Sequence, residues 1–208
     1  MTFNGSLVLA TRNKGKIIEF KSLLADFYLK IKSLKDFGPI PPVTEDGETF
    51  EDNALKKARF TAKATGLPAL SDDSGLMVEA LGGIPGVLSA RYAGENASDE
   101  ERNLKLLGEM EGVKNREAKF VCIIAIAVPR GASLVYKGTC AGIITQESTG
   151  TQGFGYDPVF YYPKLKKTFA QMSSEEKNHV SHRGSAMAEL RRDFDKVLIW
   201  LTQRLQED

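Results

Sequence analysis

The stretch from Lys119 to Thr145 constrains this chain more than any other. Phe120 to Val128 is an unbroken apolar run, Ser133 to Thr145 is strand-like, and Pro129-Arg130-Gly131 between them is turn chemistry. Two strands joined so tightly return antiparallel. Earlier in the chain the pattern differs. Leu7 to Ala10 is a short apolar run of the kind buried on both faces of a sheet, and Thr11 to Gly15 breaks it. From Lys16 onward, Ile17, Phe20, Leu24 and Phe27 recur at three- and four-residue spacing, which predicts a helix with one core face. Leu29 to Leu34 reads as a second strand, and the three prolines of FGPIPPV forbid regular structure up to Glu45. Phe50, Ala54, Ala58 and Ala62 mark a second helix, ended by Gly66 and Pro68. Ala69 to Ser71 then leads into SDDSG, Ser71 to Gly75, which reads as a tight turn between a strand and a glycine. Strand-to-helix units combined with a long hairpin predict an α/β fold on a mixed sheet and disfavour a purely parallel one.

The remaining segments fit that class. Residues 82–96, with SARY at Ser89 to Tyr92, read as an ordered loop or short strand. Ser98 with Glu101 forms a capping box ahead of Leu104, Leu107 and Met110, and Ser173 with Glu176 opens another short helix. Met187, Leu190, Phe194, Val197 and Leu201 define one closing helix. No repeat, heptad or low-complexity tail interrupts the pattern, and 208 residues suit a single unit, residues 1–208.

Composition removes several classes of partner. Twenty-eight Lys and Arg balance 27 acidic residues, so a net charge of +1 gives no reason to expect nucleic acid, and any phosphate binding must be local. The longest apolar run is far short of a bilayer span, and MTFNGSLVLA has no basic n-region, so neither membrane nor export is expected. Cys122 and Cys140, each in an apolar strand, read as buried thiols in a reducing cytoplasm.

The chemistry-bearing residues fall into separate short motifs. Asp72 and Asp73 in SDDSG offer the hard oxygen donors that Mg²⁺ prefers, and a structural turn is the competing reading. Thr11, Arg12, Asn13, Lys14, Gly15 and Lys16 stand between a strand and a helix, where backbone N–H groups and lysines can meet a phosphate. The Walker A pattern is absent, since Ile17 follows Lys16 and no glycine stands where that motif needs its first. Glu45 adds a carboxylate ahead of the second helix, while Asn53 and Lys57 share a face of it. In GFGYDP, Gly153 to Pro158, two glycines permit close backbone approach, and Phe154 and Tyr156 offer rings to stack on a base. His182 and Arg183 lie in SHRG, one short helix beyond Lys177. His179 and His182 lack the further Cys or His a zinc set needs, and neither Ser71 nor Ser74 stands in a G-x-S-x-G elbow.

Taken in order, LATRNKGKIIEF, EDGETFEDNALKKA, LSDDSGL, LGGIPGVLSARYAG, GFGYDPVF and EEKNHVSHRGSA resemble the inosine triphosphate pyrophosphatase family, from Leu7 to about Leu190. The resemblance implies an elongated two-lobed α/β fold with a cleft between the lobes, a homodimer, Mg²⁺ dependence, and hydrolysis of non-standard purine nucleoside triphosphates such as ITP, dITP and XTP to the monophosphate and pyrophosphate. Thr11 to Lys16 would form the triphosphate loop, and Glu45 and Asp73 would match the metal-associated carboxylates. Asp73 would also match the proton acceptor for the attacking water. Ser74, Phe154, Gly155, Tyr156, Asp157, Lys177, His182 and Arg183 would match substrate contacts, and Lys57 would help neutralise the phosphates. Two departures are visible. Arg12 stands where glycine is frequent, and Asp52 replaces the more usual Glu before Asn53. A nucleotide-binding regulator, a pyrophosphatase of modified pyrimidines and a phosphatase releasing orthophosphate remain as alternatives.

Overall fold

The computed structural model describes residues 5–27 and 29–206. The leader reading of the first four residues therefore lies outside the described residues. Seven strands form one sheet: β1 (Ser6–Leu9), β2 (Lys30–Ser33), β3 (Ala69–Val78), β4 (Glu117–Ala127), β5 (Ser133–Ile144), β6 (Phe160–Tyr162) and β7 (Lys167–Thr168), in the order β2-β1-β3-β4-β5-β6-β7. β1 pairs in parallel with β2 and β3, whereas β6 pairs antiparallel with β5 and β7. The sheet is mixed, as expected. β4 and β5 are neighbours joined by residues 128–132, a connection that only an antiparallel return can use.

Two compact units divide the chain: Met1–Asp73 with Cys122–Gly138 and Ala186–Asp208, and Ser74–Val121 with Thr139–Ser185. In the first, the strands alternate strictly. Leu7, Leu9, Leu70, Cys122, Ile124 and Ile126 face one way, against Phe20 and Leu24 behind α1 (Lys14–Leu23) and against α5 (His182–Arg192) and α6 (Phe194–Gln206). Val8, Ala69, Ile123, Ala125 and Ala127 face the other way, against α2 (Phe50–Thr65). Ala54, Ala58 and Ala62 recur every four residues on α2, a small-residue face that lets the helix lie close on the sheet. Thr49 caps its start with Asp52 in a capping box, which gives Asp52 a local task. Gly66 ends it at φ +66°, with its N–H on the Ala62 carbonyl. Fully buried Phe20 and Leu24 contribute about 1.5–3 kcal/mol each.

The second unit packs Leu76, Val78, Phe120, Phe160 and Phe169 with Leu106 and Met110 from α3 (Asp99–Glu109) and its end. Gly142 on β5 makes room for a ring, since a Cβ there would lie 2.5 Å from Phe160 Cζ. Both cysteines are buried thiols outside any disulfide, and burial pushes the Cys140 thiol up to about 11.

Three readings of the sequence are corrected. SDDSG is no turn but the middle of the ten-residue β3, and Gly75 lies in it as ordinary strand backbone. The single closing helix is two, α5 and α6, divided at Asp193, whose carbonyl accepts the Val197 N–H of the new turn. The first helix starts at Lys14 rather than Lys16, because the Asn13 side chain accepts the Lys16 N–H as an N-cap, and Phe27 falls in a separate 3₁₀ turn.

Candidate functional site

Successive side chains on a strand leave on opposite faces, and this separates the two aspartates of β3. Asp72 shares its face with Leu70, on the α1 side, and its Oδ2 lies 2.8 Å from Lys16 Nζ. Asp73 follows Ala69 and Ser71 toward α2. There Ser71 Oγ donates to the Ala54 carbonyl at 2.5 Å, and Asp73 Oδ1 lies 2.8 Å from Lys57 Nζ. The same ammonium is 3.0 Å from Glu45 Oε1, so Glu45 and Asp73 straddle one cation. The loop carrying Glu45 is tied to the helix by Asn53, whose Oδ1 accepts the Gly47 N–H at 2.8 Å. A Cβ on Gly47 would meet Asp52 Cβ at 2.7 Å and Asn53 Oδ1 at 2.8 Å, so only glycine lets this loop approach so closely.

Burial sets the electrostatics of this cluster. It raises the Asp73 carboxyl above the usual carboxylate value and outweighs the opposing pull of Lys57 and Lys16, while Glu45 adds to the rise. Burial pulls the Lys57 ammonium down, but attraction to Asp73, Asp72 and Glu45 carries its net shift upward. A carboxylate made more basic beside an ammonium that keeps its proton suits general-base chemistry on a water near a polyanion.

The β1–α1 loop is built for its own part. The Asn13 N–H donates to Thr11 Oγ1 at 3.2 Å, and Asn13 caps α1, which leaves Lys14 exposed at the helix N-terminus. Arg12 turns away to donate to the Ile40 carbonyl in the proline loop, which supplies a structural role for the residue that departs from the family pattern.

Among the described residues no three His, Cys, Asp or Glu side chains converge on a point. Mg²⁺ does not need them, because it commonly takes one or two carboxylates and completes its octahedron with water and phosphate. Glu45 and Asp73 already hold a cation between them, and their donors are all oxygen. This pair fits the ion.

The second unit gathers the remaining residues. His182 and Arg183 open α5, where the Arg183 cation opposes the helix dipole, and both are buried nonetheless. A cost of that kind marks a position kept for more than helix formation. His182 stacks on Phe120 with centroids 4.5 Å apart, and Arg183 Nη2 reaches Ser74 Oγ at a long 3.4 Å. Gly184 admits this arrangement, since a Cβ there would sit 1.7 Å from the Asn178 carbonyl oxygen. Lys177, on α4 (Ser174–Val180), pairs with buried Asp157 at 2.5 Å and lies 4.6 Å from the Phe154 ring centroid. Arg183 lies 5.8 Å from the same centroid. Asp157 also accepts the Phe154 N–H at 2.9 Å, and a Cβ on Gly153, at φ +75°, would lie 2.0 Å from Asp157 Oδ2.

The expectation of two stacking rings in GFGYDP is corrected. Phe154 is partly exposed, but Tyr156 is buried, with its phenol donating to the Ser89 carbonyl at 2.9 Å. Ser89, the first residue of SARY, also accepts the Leu76 N–H at 2.9 Å, so this motif braces β3 and Tyr156 from within a 3₁₀ segment, Gly86–Arg91. Its bracing role and that of Asn53 escaped the sequence reading. Only the four-residue spacing of Asn53 and Lys57 hinted at the latter.

The chain matches the Ham1 family over residues 7–193. It is 53% identical over 202 residues to the dITP/XTP pyrophosphatase of Desulfotalea psychrophila, covering 97% of this chain and 91% of that protein. It is 55% identical over 202 residues to the dITP/XTP pyrophosphatase of Syntrophobacter fumaroxidans, covering 97% and 87%. The solved structure of a HAM1 protein from Coxiella burnetii superposes with a TM-score of 0.85 at 43% identity, over 92% of this chain and 99% of that one.

Proposed function

The chain belongs to the Ham1 family, and from that premise we propose that residues 1–208 act as one Mg²⁺-dependent pyrophosphohydrolase of ITP, dITP and XTP, releasing the nucleoside monophosphate and pyrophosphate. The observation that carries the reaction is the cluster in which buried Asp73 and Glu45 share the Lys57 ammonium. Water attack at the α–β phosphoanhydride needs a proton acceptor, and the buried Asp73 carboxylate takes that proton. Glu45 and Asp73 would hold Mg²⁺. When bound, the ion neutralises phosphate charge and polarises the phosphoryl oxygens. Lys57 keeps its charge for the developing pyrophosphate, and Thr11 to Lys16 receive the triphosphate through Lys14, Lys16 and the N-terminus of α1.

The base falls to Ser74, Phe154 to Asp157, Lys177, His182 and Arg183. A 6-oxopurine presents an acceptor where adenine presents an amino donor, and an arginine can only donate. Arg183 therefore favours hypoxanthine and xanthine, with His182 adding a ring N–H, and an exposed face of Phe154 offers a surface for the purine. The enzyme works in the cytoplasm as a homodimer. The test is a panel of nucleoside triphosphates with products identified by ³¹P NMR. Monophosphate and pyrophosphate from ITP, dITP and XTP are expected, whereas a diphosphate and orthophosphate as primary products would overturn the reading.

A further inference from the structure

Asp99 and Asn103 lie four residues apart on α3 and so share one face of it. Both reach the same distant residue. Asp99 Oδ2 accepts the Gly155 N–H at 2.6 Å, and Asn103 Nδ2 donates to the Gly155 carbonyl at 3.0 Å. The ordinary reading of Asp99 is an acid placed for the helix dipole, but Ser98 and Glu101 already cap this helix; its Oδ1 pairs with Arg102 one turn on, and its Oδ2 is left for a loop 56 residues on. Asn103 is buried, and its Oδ1 accepts no hydrogen bond among the described residues. A position kept for stability alone would favour an apolar residue like its neighbour Leu106 over a half-satisfied amide.

Gly155 is the residue after Phe154 and holds φ +66°, a conformation that sets the direction of the chain on both sides. The Phe154 N–H is held by Asp157, so Phe154 is fixed from before and after. We propose that Asp99 and Asn103 are positioning residues for base recognition: they clamp the backbone N–H and C=O of Gly155, one on each side of its Cα, and thereby fix the Phe154 ring where the purine must lie. This rests on the pyrophosphatase reading above. The clamp touches neither the acidic cluster nor the phosphate loop, so its loss acts on binding of the nucleoside end and leaves the chemical step alone.

The experiment measures KM and kcat for ITP and ATP, calorimetric affinity for inosine monophosphate, and inhibition by inorganic tripolyphosphate, which senses only the phosphate end. Asp99→Ala and Asn103→Ala are expected to raise KM for ITP and weaken inosine monophosphate by about tenfold each, with kcat within about twofold and the tripolyphosphate inhibition constant unchanged. Asp99→Asn, which keeps an acceptor oxygen, should recover most of the loss. Asn103→Asp, which sets an acceptor against the Gly155 carbonyl, should be worse than alanine. Wild-type KM and inosine monophosphate affinity in folded alanine variants would overturn the clamp, as would a parallel loss of tripolyphosphate binding, the signature of general loosening. Failure of wild type to hydrolyse ITP would instead overturn the pyrophosphatase reading, and the inference with it.

Discussion

The two units solve the problem of buried polarity in opposite ways. In the first, charges answer charges: Lys16 meets Asp72, and Lys57 meets both Asp73 and Glu45. In the second, ion pairs such as Lys177–Asp157 and Arg102–Asp99 are present, but shape carries more of the load. His182 lies flat on Phe120, Lys177 and Arg183 lie over Phe154, and the loop from Phe154 to Asp157 is pinned through its backbone by Asp99, Asn103 and Asp157 itself and through the Tyr156 phenol by the Ser89 carbonyl. A cluster of paired cations and carboxylates suits a polyanion and a metal, whose interactions are long-ranged and forgiving of angle. A pinned aromatic loop suits a flat, neutral base, whose recognition depends on angle. Substitutions in the first unit should therefore change rate and phosphate affinity equally for every base, and those in the second should change the choice of base.

The largest effect should come from Asp73→Asn. Loss of the general base should lower kcat at least about 10²-fold with an unchanged circular dichroism spectrum, and ITP and ATP should fall together. A changed ITP to ATP ratio would break the division of labour. Arg183→Met preserves bulk while removing the donor. It should lower kcat/KM for ITP about tenfold and for ATP much less, narrowing their ratio, as competition between the two substrates in one assay would reveal. If the ratio held in both this variant and His182→Ala, discrimination would belong to the pinned backbone of GFGYDP. Lys16→Ala should weaken triphosphate binding several-fold while leaving inosine monophosphate near its wild-type affinity by calorimetry. Equal losses would remove the β1–α1 loop from phosphate binding.

The smallest effect concerns a capping box. The Lys167 ammonium and the Ser173 N–H hold the Glu176 carboxyl below its ordinary value, so its stabilisation of α4 is present above about pH 4.5 and fades as pH falls through the lowered value. Glu176→Gln should lower Tm by about 1–2 °C at pH 7 and not at all near pH 2, measured by thermal melts across that range. An equal drop at both pH values would assign the loss to packing.

Local grammar was legible in the sequence. The capping boxes at Ser98 and Ser173, the alanine face of α2 and the hairpin of β4 and β5 are written in neighbouring residues, and each stands as read. SDDSG was misread because two aspartates beside a glycine satisfy every local rule for a turn. What holds them in a strand is distant: Lys16 from one helix and Lys57 from another make buried carboxylates tolerable there. Tyr156 was misread for the same reason, since nothing near it announces the Ser89 carbonyl 67 residues earlier. Asp99 and Asn103 were hidden by success, because the capping box already accounted for the acids around them.

The alternation at Asp72 and Asp73 has a consequence for how this strand tolerates error. A slip of one residue in the pairing of β3 would keep composition, charge and an aspartate on each face of the strand. Asp72 would stand where Asp73 stands and meet Lys57, and Asp73 would move to the face of Lys16, two positions along from the place of Asp72. Yet the same slip would carry Leu70 to the face of α2 and Ala69 to the face of α1, setting a large side chain against the closely packed alanines and leaving a void beside Phe20. The doubled aspartate is blind to register, and the hydrocarbon residues two and three positions before it do the proofreading.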